Sequence, residues 1–496
     1  MAETRKAELV LIPSAGVSHL VPLVEFANLL ITRTNHLSVK ILIMTLPSDT
    51  SFIGLKKSMA ESSDPRIKFI DLKPELTDPS SQTSSGVNFF FQFIDSHKPH
   101  VREILTGIND SGTSKLAGVV ADMFCTSMFD VAIEFGVPYY LFFTSGASML
   151  GLVLHLQSLR DDHKVDLTDF KDSDKNTEID VPTYINPVPT RVVPSEFLDN
   201  VAIRDVFLDL VKRYRETKGI IVNTFKELEI QAMVAFSNDC KIPPVYTIGP
   251  LLNLKGGKWN DNQKKQQEEE DDEQSIMKWL DAQPESSVVF LCFGSKGAFD
   301  GEQVKEMANG IERSGYRFLW SLRKPLASGN SGYPDDYENL EEVLPEGFLQ
   351  RNSVVGKIIG WAPQAAILSH PAVGGFVSHC GWNSTLESIW FGVPVATWPL
   401  YAEQQLNAFL LVKDLEMAVE IKMDYRHRNR TTPELSGEDV SAELIEKGIR
   451  LVMEPENEVR KKVKQMQGKS HSVFEEGGSS YTFVRGFIDD VMSNVL

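Results

Sequence analysis

The sequence predicts an α/β protein made of two Rossmann-like halves, each a parallel sheet covered on both faces, that meet across a cleft. Three observations carry this expectation. Apolar, β-branched runs alternate with helical patterns through residues 1–250 and again through 275–475, as in strands joined by crossover helices. A polar, highly charged stretch, 253–274 (NLKGGKWNDNQKKQQEEEDDEQ), separates the two series and reads as an exposed linker. The chemically promising side chains fall mostly just beyond strand ends, where open parallel sheets collect ligands.

In the first half the expected strands are Leu9–Pro13, Val39–Thr45, Ile67–Leu72, Gly118–Asp122, Tyr139–Phe143, Gly219–Asn223 and Val245–Ile248. Each is short and rich in Val, Ile, Leu or aromatic residues. Helical patterns lie between most of them, among them His19–Thr32 and Ser127–Phe135. In the second half Ser287–Ser295, Arg317–Arg323, Gly356–Gly360, Val373–Val377, Val393–Trp398 and Ala418–Ile421 read as strands. Gln303–Ser314, Ala402–Leu415 and Ala442–Met453 read as helices, and 163–180 and 424–436 as polar loops. The run Phe487–Met492 reads as an amphipathic helix.

A chain of 496 residues is too long for one ordinary domain. A formal charge of −18 argues against nucleic acid or an anionic membrane as partner, since both require a basic surface. Cys125, Cys240, Cys292 and Cys380 form no CxxC pair, so structural zinc is not expected. Cys125, Cys292 and Cys380 sit in or beside apolar strands and read as buried free thiols, which suits a reducing cytoplasm. The first apolar run is short, which fits a strand and not a signal peptide. No apolar run is long enough to span a bilayer. Asn383-Ser384-Thr385 matches a glycan acceptor in form, but a glycan there would obstruct the site described next.

The most informative stretch is Trp361–Gln404, WAPQAAILSHPAVGGFVSHCGWNSTLESIWFGVPVATWPLYAEQ. The strand Val373–Val377 runs into Ser378-His379-Cys380-Gly381-Trp382-Asn383-Ser384. The following helix, roughly Asn383–Phe391, opens with small polar residues and backbone N–H groups beside a His. Such a helix start attracts a diphosphate, because it offers unpaired donors and about half a positive charge. Asn383 reads equally as a cap. His379 and Ser295 are further candidate donors. Glu387, one turn beyond Asn383, suits a ribose, and Trp361 offers a flat face for a base. Glu403 and Gln404, after the strand Pro394–Trp398, suit sugar hydroxyls. In the first half, His19 opens a helix after the first strand, and Asp122 ends another parallel strand. A carboxylate there can accept the Nδ1–H of His19, fix its tautomer and stabilise the imidazolium. Taken alone, Asp122 reads equally as a cap or loop residue.

Over its whole length, Trp361–Gln404 closely resembles the signature box of the plant small-molecule glycosyltransferases that use UDP-sugars. The resemblance implies the GT-B architecture. Residues 1–250 would then bind the acceptor, with 476–496 packing back on them; 251–274 would be the linker, and 275–475 would bind the UDP-sugar. It implies His19 as general base and Asp122 as its support. It implies donor contacts from Ser295, Trp361, Ala362, Gln364, His379, Trp382, Asn383, Ser384, Glu387, Glu403 and Gln404. Thr144 matches a further donor-sugar position and reads equally as a cap. Trp382 and Gln404 match members that prefer glucose, where His at the last position accompanies galactose. The implied reaction is inverting transfer from UDP-glucose, giving a β-glucoside, without a metal or other cofactor; the expected state is a monomer. The sequence departs from the family at Ala15 and Ser18, usually Pro and Gly, which bears on acceptor range.

Candidate acceptor walls are Phe89, Phe90, Phe91, Phe93, Phe124, Phe142, Met149 and the loop Tyr184–Phe197, with Ser18 beside the base. An aromatic cluster usually means core, and each of these reads first as core. As walls they suit a flat or greasy alcohol, a phenolic, flavonoid or terpenoid. Other enzyme classes fit poorly. Pro13–His19 lacks the G-x-G-x-x-G of a nicotinamide site. Neither Gly294-Ser295-Lys296-Gly297 nor Gly146-Ala147-Ser148 is the G-x-S-x-G of a serine hydrolase. The alternatives are another UDP-sugar donor, or a sugar-nucleotide-binding scaffold without catalysis, which would have no use for a base at His19.

Overall fold

The computed structural model describes residues 6–495, apart from 47–50, 75–86, 113, 173–176, 199, 255–262, 327–331 and 427–438; of 51–55, 62, 171–172 and 263–270 it describes the backbone alone. The first sheet has seven parallel strands: β1 (Lys6–Ile12), β2 (Leu37–Ile43), β3 (Ile67–Asp71), β4 (Ser114–Asp122), β5 (Tyr139–Phe143), β6 (Gly219–Val222) and β7 (Val245–Thr247). Their order is β3-β2-β1-β4-β5-β6-β7. The second sheet comprises β8 (Val288–Cys292), β9 (Arg317–Ser321), β10 (Gly356–Ile359), β11 (Val373–Ser378), β12 (Val395–Thr397) and β13 (Ala418–Glu420), in the order β10-β9-β8-β11-β12-β13. Both sheets therefore reverse direction between their first and fourth strands, and each reversal opens a crevice at the strand ends.

Strand alternation decides which way each side chain faces. On β1, Val10 and Ile12 pack toward the helices Lys98–Ser111 and Ala147–Asp161, while Ala7, Leu9 and Leu11 pack under the helix Val17–Arg33. On β5, Leu141 and Phe143 take the first side, and Tyr140 and Phe142 the second. The first-side cluster continues without a break into the second half, through Trp382, Leu386 and Phe409. The final helix, Ser479–Ser493, lies on the first half: Phe487 meets the rings of Phe26 at 5.4 Å, Tyr140 at 5.1 Å and Tyr246 at 5.6 Å. The buried Tyr140 hydroxyl donates to Asp490 at 2.5 Å.

Several expected elements differ. The polar loop 163–180 carries a short helix, Asp169–Asp172, and a two-residue strand, Glu178–Ile179. The charged stretch 253–274 is not wholly a linker: from Gln263 its Gln, Glu and Lys residues form the first turns of the helix Gln263–Asp281. These are good helix formers, and Ile276 and Leu280, both buried, anchor the far end. The expected helix Ala402–Leu415 is α-helical only over Gln404–Phe409 and widens to a π-turn at Leu410–Asp414. The expected strand to Arg323 stops at Ser321, and Arg323–Lys324 pairs antiparallel with Asp335–Asp336. Of the polar loop 424–436, residues 427–436 lie outside the described residues. Cys125, Cys292 and Cys380 are buried free thiols. Among the described residues no helix is long and apolar enough to cross a membrane.

Candidate active site

The crevice of the first sheet lies between β1 and β4. Gly16, at φ 145°, caps the helix Val17–Arg33, a backbone setting that favours glycine. His19 thus falls in the first helical turn, facing the end of β4. Its Nδ1 lies 2.8 Å from Oδ2 of Asp122, and its side chain is 18% exposed whereas that of Asp122 is fully enclosed. The Phe124 amide donates to Oδ1 of Asp122 at 3.1 Å, so both carboxylate oxygens are engaged and the ring is aimed. Thr144 Oγ1, beyond β5, stands 3.2 Å from the same His nitrogen, and Phe124 packs against the imidazole at 5.3 Å. Burial works against the imidazolium, but Asp122, by charge and hydrogen bond, and Glu403, by charge, outweigh it and hold the His19 pKa above its ordinary value. With Nδ1–H given to Asp122, Nε2 is the basic nitrogen.

The crevice of the second sheet lies between β8 and β11. The backbone turns sharply there: Gly294 has φ 74°, Cys380 φ 60° and, beside β12, Ala402 φ 56°. Left-handed non-glycine residues are costly and tend to collect at functional sites. The Cys380 setting is held by its N–H on Ser378 Oγ and by Asn407, which donates to its carbonyl. The helix Trp382–Phe391 starts at Gly381 with no side-chain cap, so its first amides are left for a ligand. Asn383 lies inside the helix and is not its cap; its Oδ1 is buried with no protein partner. His379 is wedged so tightly that a Cβ at Gly294 would stand 2.5 Å, and one at Gly381 2.6 Å, from its Nε2. Burial lowers its pKa to about 4, so it is a neutral ring at the site.

Gln364 joins two of the expected donor contacts: its amide donates to Ser384 Oγ at 2.8 Å and to Glu387 Oε2 at 2.7 Å. Burial pushes the Glu387 carboxyl up to about 7, against the pull of Gln364. Trp361, half-buried, has the Arg323 guanidinium 5.9 Å from its ring centre, and Ala362 is buried beside it. Ser295 is half-buried on the loop after β8. Gln404 is buried, and its Oε1 accepts from the amides of Leu400 and Tyr401, so half of its polar capacity shapes the loop instead of meeting a sugar. Trp382, expected among the donor contacts, sends its indole into the first half: it is buried, and its Nε1–H donates to the Asn223 carbonyl at 2.7 Å.

The aromatic candidates divide. Phe90 meets Phe124 at 5.8 Å, and Phe207 joins Phe124, Phe91 and Phe197 in one cluster that reaches His19 through Phe124. Phe89 is half-buried against Phe93. Phe142 is no acceptor wall: the alternation of β5 sends it to the opposite face, against Phe26. Met149 and Phe93 are core, the latter packed on the buried His97. Ser18 is exposed beside the base. Sequence reasoning missed Phe207, Asn223, Glu229 and Arg323. Phe207 lies on an amphipathic helix (Val201–Lys212) without a local motif, and only the helical pattern signalled it. The two halves meet at this site, since Glu403 and Lys296 of the second both act electrostatically on His19 of the first.

The Glu387 carboxyl offers a pH test. In the ribose-binding role expected from the sequence, hydroxyl donors favour the ionised form of Glu387, so protonation below about 7 competes with binding. Wild-type affinity for UDP is expected to fall on acidification by up to ~10-fold per pH unit more than that of Glu387→Gln, which does not titrate. Calorimetry on both proteins checks this; parallel pH profiles would remove Glu387 from the ribose site.

Residues 260–424 match the family model described as UDP-glucoronosyl and UDP-glucosyl transferase. The chain is 51% identical to a strawberry (Fragaria ananassa) protein named UDP-glucose flavonoid 3-O-glucosyltransferase 6, over 99% of this chain and 100% of that one. It is 52% identical to UDP-glycosyltransferase 71E1 of Stevia rebaudiana, over 99% of each. Among solved structures, it is similar to a Medicago truncatula glycosyltransferase complexed with UDP-glucose, at 39% identity and a TM-score of 0.84 over 99% of both chains. A Siraitia grosvenorii transferase in complex with UDP gives 44% identity and a TM-score of 0.85, over 98% of this chain and 100% of that one.

Proposed function

Because the chain belongs to the plant family 1 UDP-glycosyltransferases, and so is a UDP-dependent transferase of GT-B fold, we propose that it moves glucose from UDP-glucose to a hydroxyl of a small hydrophobic acceptor with inversion, giving a β-glucoside. The observation that carries this reading is the 2.8 Å His19–Asp122 pair, placed where Glu403 of the other half reaches it. A binder of sugar nucleotides needs no such base. Residues 1–250 with 476–496 hold the acceptor, and 275–475 hold the donor.

His19 Nε2 takes the proton of the acceptor hydroxyl as its oxygen bonds to the anomeric carbon. The bond from that carbon to the diphosphate oxygen breaks on the opposite face, and UDP leaves. Asp122 stabilises the imidazolium. The free amides of Trp382, Asn383 and Ser384 and the Ser295 hydroxyl meet the charge that gathers on the diphosphate. We assign no metal to the reaction, because these donors supply that stabilisation. Glu387 accepts from the ribose, Trp361 stacks on the base, and Glu403 with the Gln404 amide meets the sugar. The Phe90–Phe124–Phe207 cluster favours a flat acceptor, a phenolic, flavonoid or terpenoid alcohol, in keeping with the name of the strawberry relative. The enzyme acts as a monomer in the cytoplasm.

A mass-spectrometric screen tests this. Purified protein is paired with UDP-glucose, UDP-galactose, UDP-xylose or UDP-glucuronate and a panel of such alcohols, with chelator present. The expected product is a hexose adduct formed from UDP-glucose. Adducts from another donor alone would replace glucose; UDP binding without any adduct would favour a scaffold.

A further inference from the structure

The indole of Trp382 occupies an unusual place. The residue opens the helix whose amides face the proposed diphosphate, yet its side chain is buried in the other half of the molecule. Its Nε1–H donates to the main-chain carbonyl of Asn223, at the end of β6, at 2.7 Å. Asn223 is itself held firmly, because its Oδ1 accepts from the Leu251 amide at 2.8 Å.

The far edge of the ring lies on Gly146. A Cβ there would stand 2.8 Å from Cη2 and 3.0 Å from Cζ2 of Trp382, and 2.9 Å from a carboxylate oxygen of Glu229. Real side chains do not approach that closely, so only glycine fits between indole and carboxylate. Glu229 is buried and accepts from the amides of Ala147 at 2.9 Å and Ser148 at 2.7 Å, capping the helix Ala147–Asp161 at its first turn. The segment pressed by Trp382 is therefore anchored from behind. Two residues upstream of Gly146 is Thr144, whose hydroxyl stands 3.2 Å from His19 Nδ1.

We propose that Trp382 is a positioning residue for the transfer: through Asn223 and Gly146 it sets the donor helix against the segment 144–148 that braces His19. This deepens the glycosyltransfer reading and rests on it. The path runs from the helix start through the indole to Gly146 and, two residues upstream, to Thr144 beside the base, and the close fit at Gly146 leaves little slack. Displacing the indole changes the distance and angle between the attacking oxygen and the anomeric carbon, while the backbone amides that hold UDP stay in place. Misalignment of reactants acts on the rate and not on affinity for the leaving nucleotide.

The test compares wild type, Trp382→Phe, Gly146→Ala and the double variant. It measures kcat at saturating donor and acceptor, UDP affinity by calorimetry, and melting temperature. Trp382→Phe removes the N–H and the far ring edge; it is expected to lower kcat at least ~10-fold with UDP affinity unchanged. Gly146→Ala presses the same contact from the other side and should also lower kcat. The double variant should lose less than the product of the two single losses, since the smaller ring relieves the contact with the indole while the 2.9 Å approach to Glu229 remains, and this non-additivity would not follow from two independent losses of stability. A normal kcat in both single variants, an equal loss of UDP affinity, or additive losses in the double variant would overturn the tie. A wild type that binds UDP but transfers no sugar would overturn the reaction and the tie together; with a wild type that turns over, the variants alone decide whether the tie stands.

Discussion

His19→Ala is expected to slow sugar transfer by about 10²–10⁴-fold, the usual worth of a positioned general base, with UDP affinity unchanged. His19 belongs to the first crevice, and the helix proposed to receive the diphosphate belongs to the second, so removing the imidazole takes none of the proposed diphosphate contacts away. The loss should depend on the acceptor. A hydroxyl that ionises easily needs less help in giving up its proton, so acidic phenols should suffer less than aliphatic alcohols. Steady-state rates over a series of substituted phenols, with calorimetry for UDP, check both points. A near-normal rate on an aliphatic alcohol would end the assignment of His19 as base.

Asp122→Asn should come close to the same loss, for a reason visible in the hydrogen bonds. The Phe124 amide donates to one carboxylate oxygen and His19 Nδ1 to the other. In the amide variant the Phe124 N–H claims the remaining oxygen, which turns the NH₂ group toward Nδ1. Nδ1 must then accept, the proton moves to Nε2, and the nitrogen that faces the acceptor is no longer a base. A fall of about 10²-fold or more in kcat is expected. The pH profile should move as well. The base works unprotonated, so activity rises through the His19 pKa, which Asp122 holds above 6.5 in the wild type. Without the carboxylate, burial dominates and the acid limb shifts to lower pH. The same pair makes a pH-dependent contribution to stability. Because the folded pKa is raised, that contribution is full below the unfolded value and is lost as pH rises through the folded one. The gap in melting temperature between wild type and Asp122→Asn should therefore be widest on the acid side.

Much of this site was legible because parallel sheets place chemistry at strand ends. His19, Asp122 and the box from Trp361 to Gln404 each follow a clean apolar strand, and the two reversal points bring them to the cleft. What escaped depends on side-chain direction and on contacts far apart in the chain. Phe142 and Phe143 are both apolar neighbours on β5, and only the sheet decides which faces the helix Val17–Arg33. Trp382 stands among ligand-binding residues in the sequence, but its partner is the carbonyl of Asn223, more than a hundred positions earlier. The Gln, Glu and Lys residues after Gln263 favour helix, but their charge reads as linker, and only the burial of Ile276 and Leu280 carries the run as helix. Phe207 enters the aromatic cluster through tertiary packing alone.

The return of the last helix to the first half bears on how the molecule is made. Phe26, Tyr140 and Tyr246 wait for Phe487, and Tyr140 reaches Asp490 across 350 positions. On the ribosome, every strand of the first sheet is out while that greasy flank has no cover. At ~5–20 residues per second the wait lasts on the order of tens of seconds, long enough for a nascent chain to meet a neighbour or a chaperone. Stop codons that remove only the final helix would then leave the chemistry intact on paper and the protein in the pellet.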